Sequence, residues 1–186
     1  MTDVDHALSP QRVFLTGEPG CGKTTVLEKT AELLALRGLK IGGMMSSEIR
    51  ERGTRVGFSV EDLLTHEQGI LADVGRSKGP RVGKYSVNIC DLERVGAGAI
   101  QRAIEEADVV LIDELGPMEL HSSRFIESVE AALRSRKHVL GTIHKRASHP
   151  FVVDVKSNPA YTLVEVTFAN REELPVRIAE RIIGTK

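Results

Sequence analysis

The sequence predicts an α/β fold of three layers, in which helices cover both faces of a mainly parallel central sheet. Apolar runs typical of strands alternate with segments of helical periodicity, as in parallel βαβ units. The run 108–115 (DVVLIDEL) is the strongest strand signal, because four consecutive apolar residues lie in it. Hydrophobic residues make up 41% of the chain but aromatic residues only 4%, so the core must consist of Val, Ile, Leu and Ala, which is typical of helix-covered parallel sheets.

Each element follows from its own pattern. The run 12–16 (RVFLT) ends at Gly17 and indicates a buried strand, and the next segment has the apolar spacing of a helix that stops at Gly38. The turn 51–53 separates two strand candidates and favours a local antiparallel hairpin. In chain order we predict strand 12–16, helix 24–37, strands 41–47, 55–60 and 69–74, an exposed loop 75–84, helix 91–107, strand 108–115, helix 122–136, strands 138–144 and 161–168, and helix 172–183.

Whole-chain properties restrict the organisation of the molecule. A length of 186 residues suits one domain over residues 1–186, and the polar stretch 1–11 is expected to be a flexible leader. The net charge of -1 carries no basic excess that would indicate nucleic acid or an anionic membrane. The two cysteines do not form a disulfide framework, and no apolar stretch reaches the length of a membrane span. We therefore expect a cytoplasmic monomer.

The most specific motif is residues 17–24 (GEPGCGKT), which match the phosphate-binding pattern GxxxxGK[ST] between a predicted strand and a predicted helix. Glycines let backbone N–H groups approach phosphate oxygens, Lys23 supplies positive charge to the β- and γ-phosphates, and the Thr24 hydroxyl is a ligand suited to Mg²⁺. The predicted nucleotide-binding residues of this loop are Gly17, Glu18, Pro19, Gly20, Cys21, Gly22, Lys23, Thr24 and Thr25.

Two carboxylates end the strongest strand. If this strand lies beside strand 12–16, Asp113 faces the phosphate loop, because the carboxyl ends of parallel strands open onto one crevice. Asp113 would then join Thr24 in holding Mg²⁺, and Glu114 would polarise an attacking water. Glu114 therefore favours hydrolysis over phosphate transfer to another acceptor.

The chain resembles the small P-loop nucleoside-triphosphatases, the family of cancer-related nucleoside-triphosphatase and its archaeal and bacterial thermophile relatives. The resemblance extends from about Arg12 to Ile183. It is carried by residues 17–25, 47–50, 53, 56–58, 82–85, 87–88, 112–120, 142–144 and 170–171. It implies a RecA-like domain that hydrolyses several nucleoside triphosphates to the diphosphate and phosphate, with little base selectivity.

Further candidates complete the predicted site. The γ-phosphate needs positive charge beyond Lys23, and Lys84, in a Gly-rich loop, is the preferred source. The other basic candidates are Arg50, Arg52, Arg55, Arg81 and Arg146. His144 ends a predicted strand and would face the same crevice. Similarity to related P-loop folds implies that Asn170 and Arg171 pack against the base, although a helix cap by Asn170 is an equally good interpretation.

Three functions remain open from the residues alone. The first is Mg²⁺-dependent hydrolysis of nucleoside triphosphates, which the Asp113–Glu114 pair favours. The second is a nucleotide or nucleoside kinase, since small kinases share this loop and fold. The third is a switch in which the bound nucleotide controls a partner through the hairpin 51–60 and the loop 75–84.

Overall fold

The computed structural model describes residues 9–184, which form a nine-stranded mixed sheet with helices on both faces. The strands are β1 Arg12–Thr16, β2 Ile41–Glu51, β3 Thr54–Asp62, β4 Gln68–Asp73, β5 Arg81–Val82, β6 Tyr85–Val87, β7 Val109–Leu115, β8 His138–Ile143 and β9 Thr162–Glu165. The helices are α1 Lys23–Leu36, α2 Ile89–Asp91, α3 Gly98–Glu106, α4 Ser123–Arg134, α5 Pro150–Ser157 and α6 Leu174–Ile183. A π-helical segment, Leu92–Ala97, joins α2 to α3, and Glu119–His121 is a 3-10 turn.

Five strands form the parallel part of the sheet, in the order β2-β7-β8-β1-β9. Successive residues of a strand point to opposite faces, so the apolar runs of β1 and β7 are buried on both sides. Strand β7 does not lie directly beside β1, the condition under which Asp113 was expected to face the phosphate loop, because β8 pairs with both of them. The carboxyl ends of all three strands still meet at one edge, which is where the loop after β1 begins.

Two hydrophobic cores lie on the two faces of the sheet. Val13 and Leu15 pack on one face with α1 and α6, while Phe14 packs on the other with α3 and α4. All three of these β1 side chains are at most 1% exposed. Burying a side chain of this size contributes roughly 1.5–3 kcal/mol, so the parallel strands are fixed from both sides.

An antiparallel extension, which we call the arm, consists of β3, β4, β5 and β6 and continues the sheet beyond β2. It is larger than the predicted hairpin. The segment 75–84 is not entirely a loop, because Arg81 and Val82 pair with β6 across the turn at Gly83. The hairpin pairing also extends β2 to Glu51, beyond the predicted end at residue 47.

Three other elements differ from the predictions. The predicted helix 91–107 is divided, and its π-helical part buries Val95, Gly96 and Ala97 in succession, which one face of a regular helix cannot do. Strand β9 ends at Glu165 because Thr167 N–H bonds to the Asn170 side chain at 2.8 Å instead of to the sheet. Helix α5 was not predicted.

The predicted leader 1–11 lies mostly outside the described residues. At its end, the backbone N–H of Gln11 donates to Nδ1 of His138 at 3.1 Å. Among the helices of residues 9–184, none combines the length and hydrophobicity that a bilayer crossing needs.

Candidate functional site

The loop between β1 and α1 folds tightly around its own backbone. Gly17, Gly20 and Gly22 have φ angles of +152°, +75° and +104°, which disfavour other residues. A Cβ atom on Gly17 would stand 2.5 Å from the carbonyl oxygen of Val166 and 2.8 Å from Sγ of Cys21. The buried Cys21 thus fills the inside of the loop, and its backbone N–H bonds to Glu18 O at 3.2 Å.

Helix α1 begins at Lys23 directly after this loop. No side chain caps its first turn at Gly22, so the N-terminal N–H groups are left for an anion. Lys23 Nζ lies 3.4 Å from Gly17 O and 3.8 Å from Oε1 of Glu114, and its side chain is 12% exposed. A compact positive charge therefore stands between the loop and the end of β7.

Asp113 joins three elements at the end of β7. Its Oδ2 accepts from the hydroxyl of Thr24 at 3.1 Å, and its Oδ1 accepts from the hydroxyl of Thr142 on β8 at 2.6 Å. Burial and the neighbouring charge of Glu114 together raise the pKa of Asp113 to about 6, although the two hydroxyl hydrogen bonds oppose the shift. Such a carboxylate gains strongly from a nearby cation.

Glu114 lies beside Asp113 and is half-buried. Burial raises its pKa, and the charge of Lys23 opposes that shift. Within the described residues, its buried Oε1 accepts no hydrogen bond. A buried carboxylate oxygen without a donor is unusual in proteins and costs free energy, so this atom is free to accept a hydrogen bond from a bound molecule.

These groups line one cavity of about 540 Å³. Its lining residues are Pro19, Gly20, Gly22, Lys23, Thr24, Thr25, Ser46, Ser47, Glu48, Phe58, Asp113, Glu114 and His144. Six of the nine predicted loop residues are thus brought together with the acidic pair, whereas Gly17, Glu18 and Cys21 do not line the cavity. Strands β2 and β3 form the opposite side. His144 reaches the cavity, where burial and the charge of Lys23 lower its pKa.

Glu18 lies on the outer side of the loop. Its carboxylate pairs with Lys145 at 3.0 Å and with Arg146 at 3.9 Å. The hydrogen bond from Lys145 and its charge lower the pKa of Glu18. Arg146 is therefore the predicted basic candidate that lies beside the phosphate loop.

Lys84 does not line the cavity. It lies at the β5–β6 turn, where its ammonium donates to Arg55 O at 3.3 Å. Arg55 itself pairs with Oε1 of Glu48 in the cavity wall at 2.5 Å, and its guanidinium lies 5.1 Å from the centre of the Phe58 ring. Of these two cations, Arg55 is the one in contact with lining residues.

Asn170 and Arg171 lie on the other side of the loop. Asn170 caps no helix: its Oδ1 accepts from Thr167 N–H at 2.8 Å and its Nδ2 donates to Glu165 O at 2.9 Å. Arg171 contacts Gly22 and stacks at 5.1 Å over Phe168, whose ring is 72% exposed. The two planar groups form an exposed platform next to the start of α1.

The predicted site lacks several residues that the structure places there. Thr142 holds Asp113, Phe168 forms the platform with Arg171, and Glu119 is a buried acid near Glu114. Thr142 and Glu119 were visible in the sequence only as members of the family-like segments 142–144 and 112–120. An exposed aromatic after a strand, such as Phe168, gives no periodic signal.

The profile of a protein family described as NTPase matches residues 12–179, which span the loop, the acidic pair and the platform. The chain belongs to this NTPase family. The resemblance inferred from the motifs is thereby confirmed.

Similar proteins carry the same description. The chain is 52% identical to nucleoside-triphosphatase THEP1 of Thermofilum pendens, over 94% of this chain and 97% of that protein. It is 47% identical to the THEP1 of Methanosarcina acetivorans, over 92% and 97% of the two chains.

Two solved structures share the fold. The crystal structure of THEP1 from the hyperthermophile Aquifex aeolicus matches with a TM-score of 0.83 and 31% identity, over 92% of this chain and 99% of that one. The solution structure of a human cancer-related nucleoside triphosphatase matches with a TM-score of 0.78 and 32% identity, over 95% and 100% of the two chains. The predicted three-layer P-loop fold, with its mainly parallel sheet and antiparallel addition, is confirmed.

Proposed function

We propose that this NTPase family member is a Mg²⁺-dependent hydrolase that converts ATP, GTP and other nucleoside triphosphates to the diphosphate and phosphate. The observation that carries the proposal is the meeting of Thr24 and Asp113, whose oxygens lie 3.1 Å apart in the same cavity as Lys23 and Glu114. The names of the relatives, nucleoside-triphosphatase THEP1, support the same activity.

The donor set fits Mg²⁺, which prefers hard oxygen ligands and retains several waters. Thr24 and Asp113 would hold the cation, and Thr142 orients the carboxylate from behind. When bound, the cation neutralises charge that develops on the phosphate oxygens. Lys23 adds a fixed positive charge on the neighbouring side.

Glu114 is the group that we assign to the attacking water. Its Oε1 lies in the cavity wall without a hydrogen-bond partner among the described residues, 3.8 Å from Lys23. A carboxylate in this position accepts a proton from water as the water oxygen attacks the γ-phosphorus. The bond between the γ-phosphorus and the oxygen that bridges it to the β-phosphorus breaks, and the diphosphate and inorganic phosphate leave.

We assign the base to the platform of Phe168 and Arg171. Aromatic and guanidinium planes stack on any base, because every base has a π-face. Asn170 holds the loop behind them through its bonds to Thr167 and Glu165. Recognition by stacking predicts little selectivity between bases.

The second cation at the γ-phosphate is assigned to the arm. Arg55 is tethered to Glu48 in the cavity wall, and a triphosphate would compete with Glu48 for its guanidinium. Lys84 remains the predicted alternative and acts on the same strand through its bond to Arg55 O.

The proposal is tested by phosphate release from ATP, GTP, CTP and UTP, with and without Mg²⁺. We expect kcat/KM values within about tenfold across the bases and loss of activity on chelation. Lys23→Ala is the control for a loop-dependent reaction. Phosphate release that persists in Lys23→Ala, or without any divalent cation, would contradict the proposal.

A kinase is kept as the alternative because small kinases share the phosphate loop, and because the cavity extends past the loop to Ser46, Ser47 and Phe58, where an acceptor would have to bind. Incubation with ATP and a panel of nucleosides and nucleoside monophosphates separates the two reactions. Hydrolysis predicts equal amounts of diphosphate and phosphate whether or not an acceptor is present. Acceptor-dependent ADP with little phosphate would replace the hydrolase assignment by a kinase.

A further inference from the structure

Glu119 is a buried carboxyl group that the proposed reaction does not use. It lies in the 3-10 turn after β7 and is 4% exposed, although glutamate is rarely buried in proteins. Its Oε2 accepts a hydrogen bond from the backbone N–H of Gly116 at 3.1 Å. The carboxyl group therefore closes a tight turn one residue after β7 ends.

Gly116 brings Glu119 close to Glu114. A Cβ atom on Gly116 would stand 3.0 Å from Oε2 of Glu119 and 3.3 Å from Oε2 of Glu114. The two carboxyl groups therefore face one small space over the Gly116 backbone. A side chain at residue 116 would push against both of them.

Backbone hydrogen bonds hold the same turn. Leu120 N–H bonds to Gly116 O at 3.2 Å, and Ser122 N–H bonds to Glu119 O at 3.1 Å. These bonds hold the segment that carries Glu119, and its side chain returns to Gly116 N–H. Without this acceptor, the Gly116 N–H would be buried without a partner, which proteins avoid.

The charge state suits this role. Burial, together with the charges of Glu114 and Asp113, raises the pKa of Glu119 to about 8, although backbone hydrogen bonds oppose the shift. At neutral pH the group is thus an uncharged acceptor. It adds no third negative charge beside the two carboxylates that face the phosphates.

We propose that Glu119 is a positioning residue, which fixes the Gly116 turn and thereby holds the Glu114 carboxylate toward the nucleotide. The inference rests on the proposed hydrolysis, because it assigns Glu119 a role through Glu114. Glu119 itself does not line the cavity that we assign to the nucleotide.

The test compares Glu119→Leu, Glu119→Gln and Gly116→Ala in the full chain. We expect Glu119→Leu to lower kcat on the order of ten- to hundredfold, because small displacements of a catalytic group have effects of this size. The Kd of a non-hydrolysable ATP analogue should change less than about twofold, since the phosphate loop is untouched. Glu119→Gln keeps a neutral acceptor and should restore most of the lost turnover.

Gly116→Ala removes no carboxyl group, but its methyl group would push Glu114 and Glu119 apart, so it should also lower kcat at unchanged Kd. It keeps the test valid if Glu119→Leu does not fold. Ser122→Ala is the matched control: it removes the cap on Phe125 N–H in the same segment and should lower Tm without changing kcat.

The outcomes are distinct. If wild type releases no phosphate, the proposed function fails and Glu119 has no reaction to support. If wild type is active and Glu119→Leu and Gly116→Ala match it in kcat, only the Glu119 inference is overturned. It is also overturned if Ser122→Ala lowers kcat equally, or if Glu119→Leu weakens nucleotide binding as much as turnover.

Discussion

At the scale of single residues, Asp113 is the centre of the site. It belongs to β7, yet its two oxygens are held by Thr24 of α1 and Thr142 of β8. The buried carboxylate keeps its orientation only because both hydroxyl groups donate to it. The proposed metal site is thus built from three elements that are far apart in the sequence.

Thr142→Val tests this arrangement. Valine keeps the shape of the side chain but removes the donor to Asp113 Oδ1, so the carboxylate is less well oriented and its pKa rises. We expect the Mg²⁺ concentration for half-maximal phosphate release to rise about tenfold, as for other residues that support metal ligands. The measurement is a Mg²⁺ titration at saturating ATP.

Thr30→Val is the matched control, because Thr30 is equally buried and its hydroxyl donates to the α1 carbonyl of Val26 at 2.7 Å. It should leave the Mg²⁺ dependence unchanged. An equal response of the two variants would mean that Thr142 has no specific effect on Asp113.

The sequence predicts those site residues that belong to a recognisable local pattern. Residues 17–24 form a fixed pattern, and Asp113 and Glu114 follow an unbroken apolar run, so both were recognisable. The contacts of Thr142 and Glu119 were not recognisable. Thr142 bonds to Asp113 on the neighbouring strand, and Glu119 bonds to Gly116 across a turn, so neither contact has a local sequence pattern. Phe168 was missed because stacking on Arg171 has no spacing rule.

At the scale of elements, the arm is the part of the fold that contributes to and contacts one wall of the cavity. It connects the lining residues Glu48 and Phe58 to Arg55 and, beyond them, to Lys84. Arg55 therefore contacts the residues of the cavity wall directly, whereas Lys84 is connected to them only through Arg55.

We therefore predict that Arg55→Ala lowers kcat on the order of tenfold or more, because it removes charge at the γ-phosphate. Lys84→Ala should lower it by less than about threefold, because an exposed contact to a carbonyl contributes little. Phosphate release at saturating ATP measures both. A larger loss in Lys84→Ala would return the second cation to the residue that the sequence favoured.

The order of the strands could not be predicted from local patterns. Apolar runs identified β1, β7 and β8 as buried strands but carry no information on which pairs with which. Helix α5 was missed because it is only eight residues long, which is too short for a clear helical periodicity. The arm was predicted only in part because β5 and β6 are two and three residues long.

At the scale of the whole molecule, the cost of the buried acids appears as a dependence of stability on pH. An unfolded glutamate loses its proton near pH 4.5, but folded Glu119 keeps it until about pH 8. Between these values the native state binds one more proton than the unfolded state. Stability therefore falls as pH rises through this window.

We predict that Glu119→Gln removes this part of the dependence. Urea unfolding at pH 5, 6.5 and 8 should show the variant gaining on wild type as pH rises, by up to a few kcal/mol. Asp113, whose pKa is also raised, is present in both proteins and largely cancels in the difference. Parallel stabilities at all three pH values would show that folded Glu119 titrates normally.

The central claim is that this molecule directs water onto the γ-phosphate through Glu114. It is tested most directly by phosphate release from Glu114→Gln at saturating nucleotide, with Glu32→Gln, a change outside the cavity, as control. We predict a loss of about a hundredfold or more in the first variant, as expected for a general base, with nucleotide affinity unchanged. Phosphate release at the wild-type rate in Glu114→Gln would contradict the account.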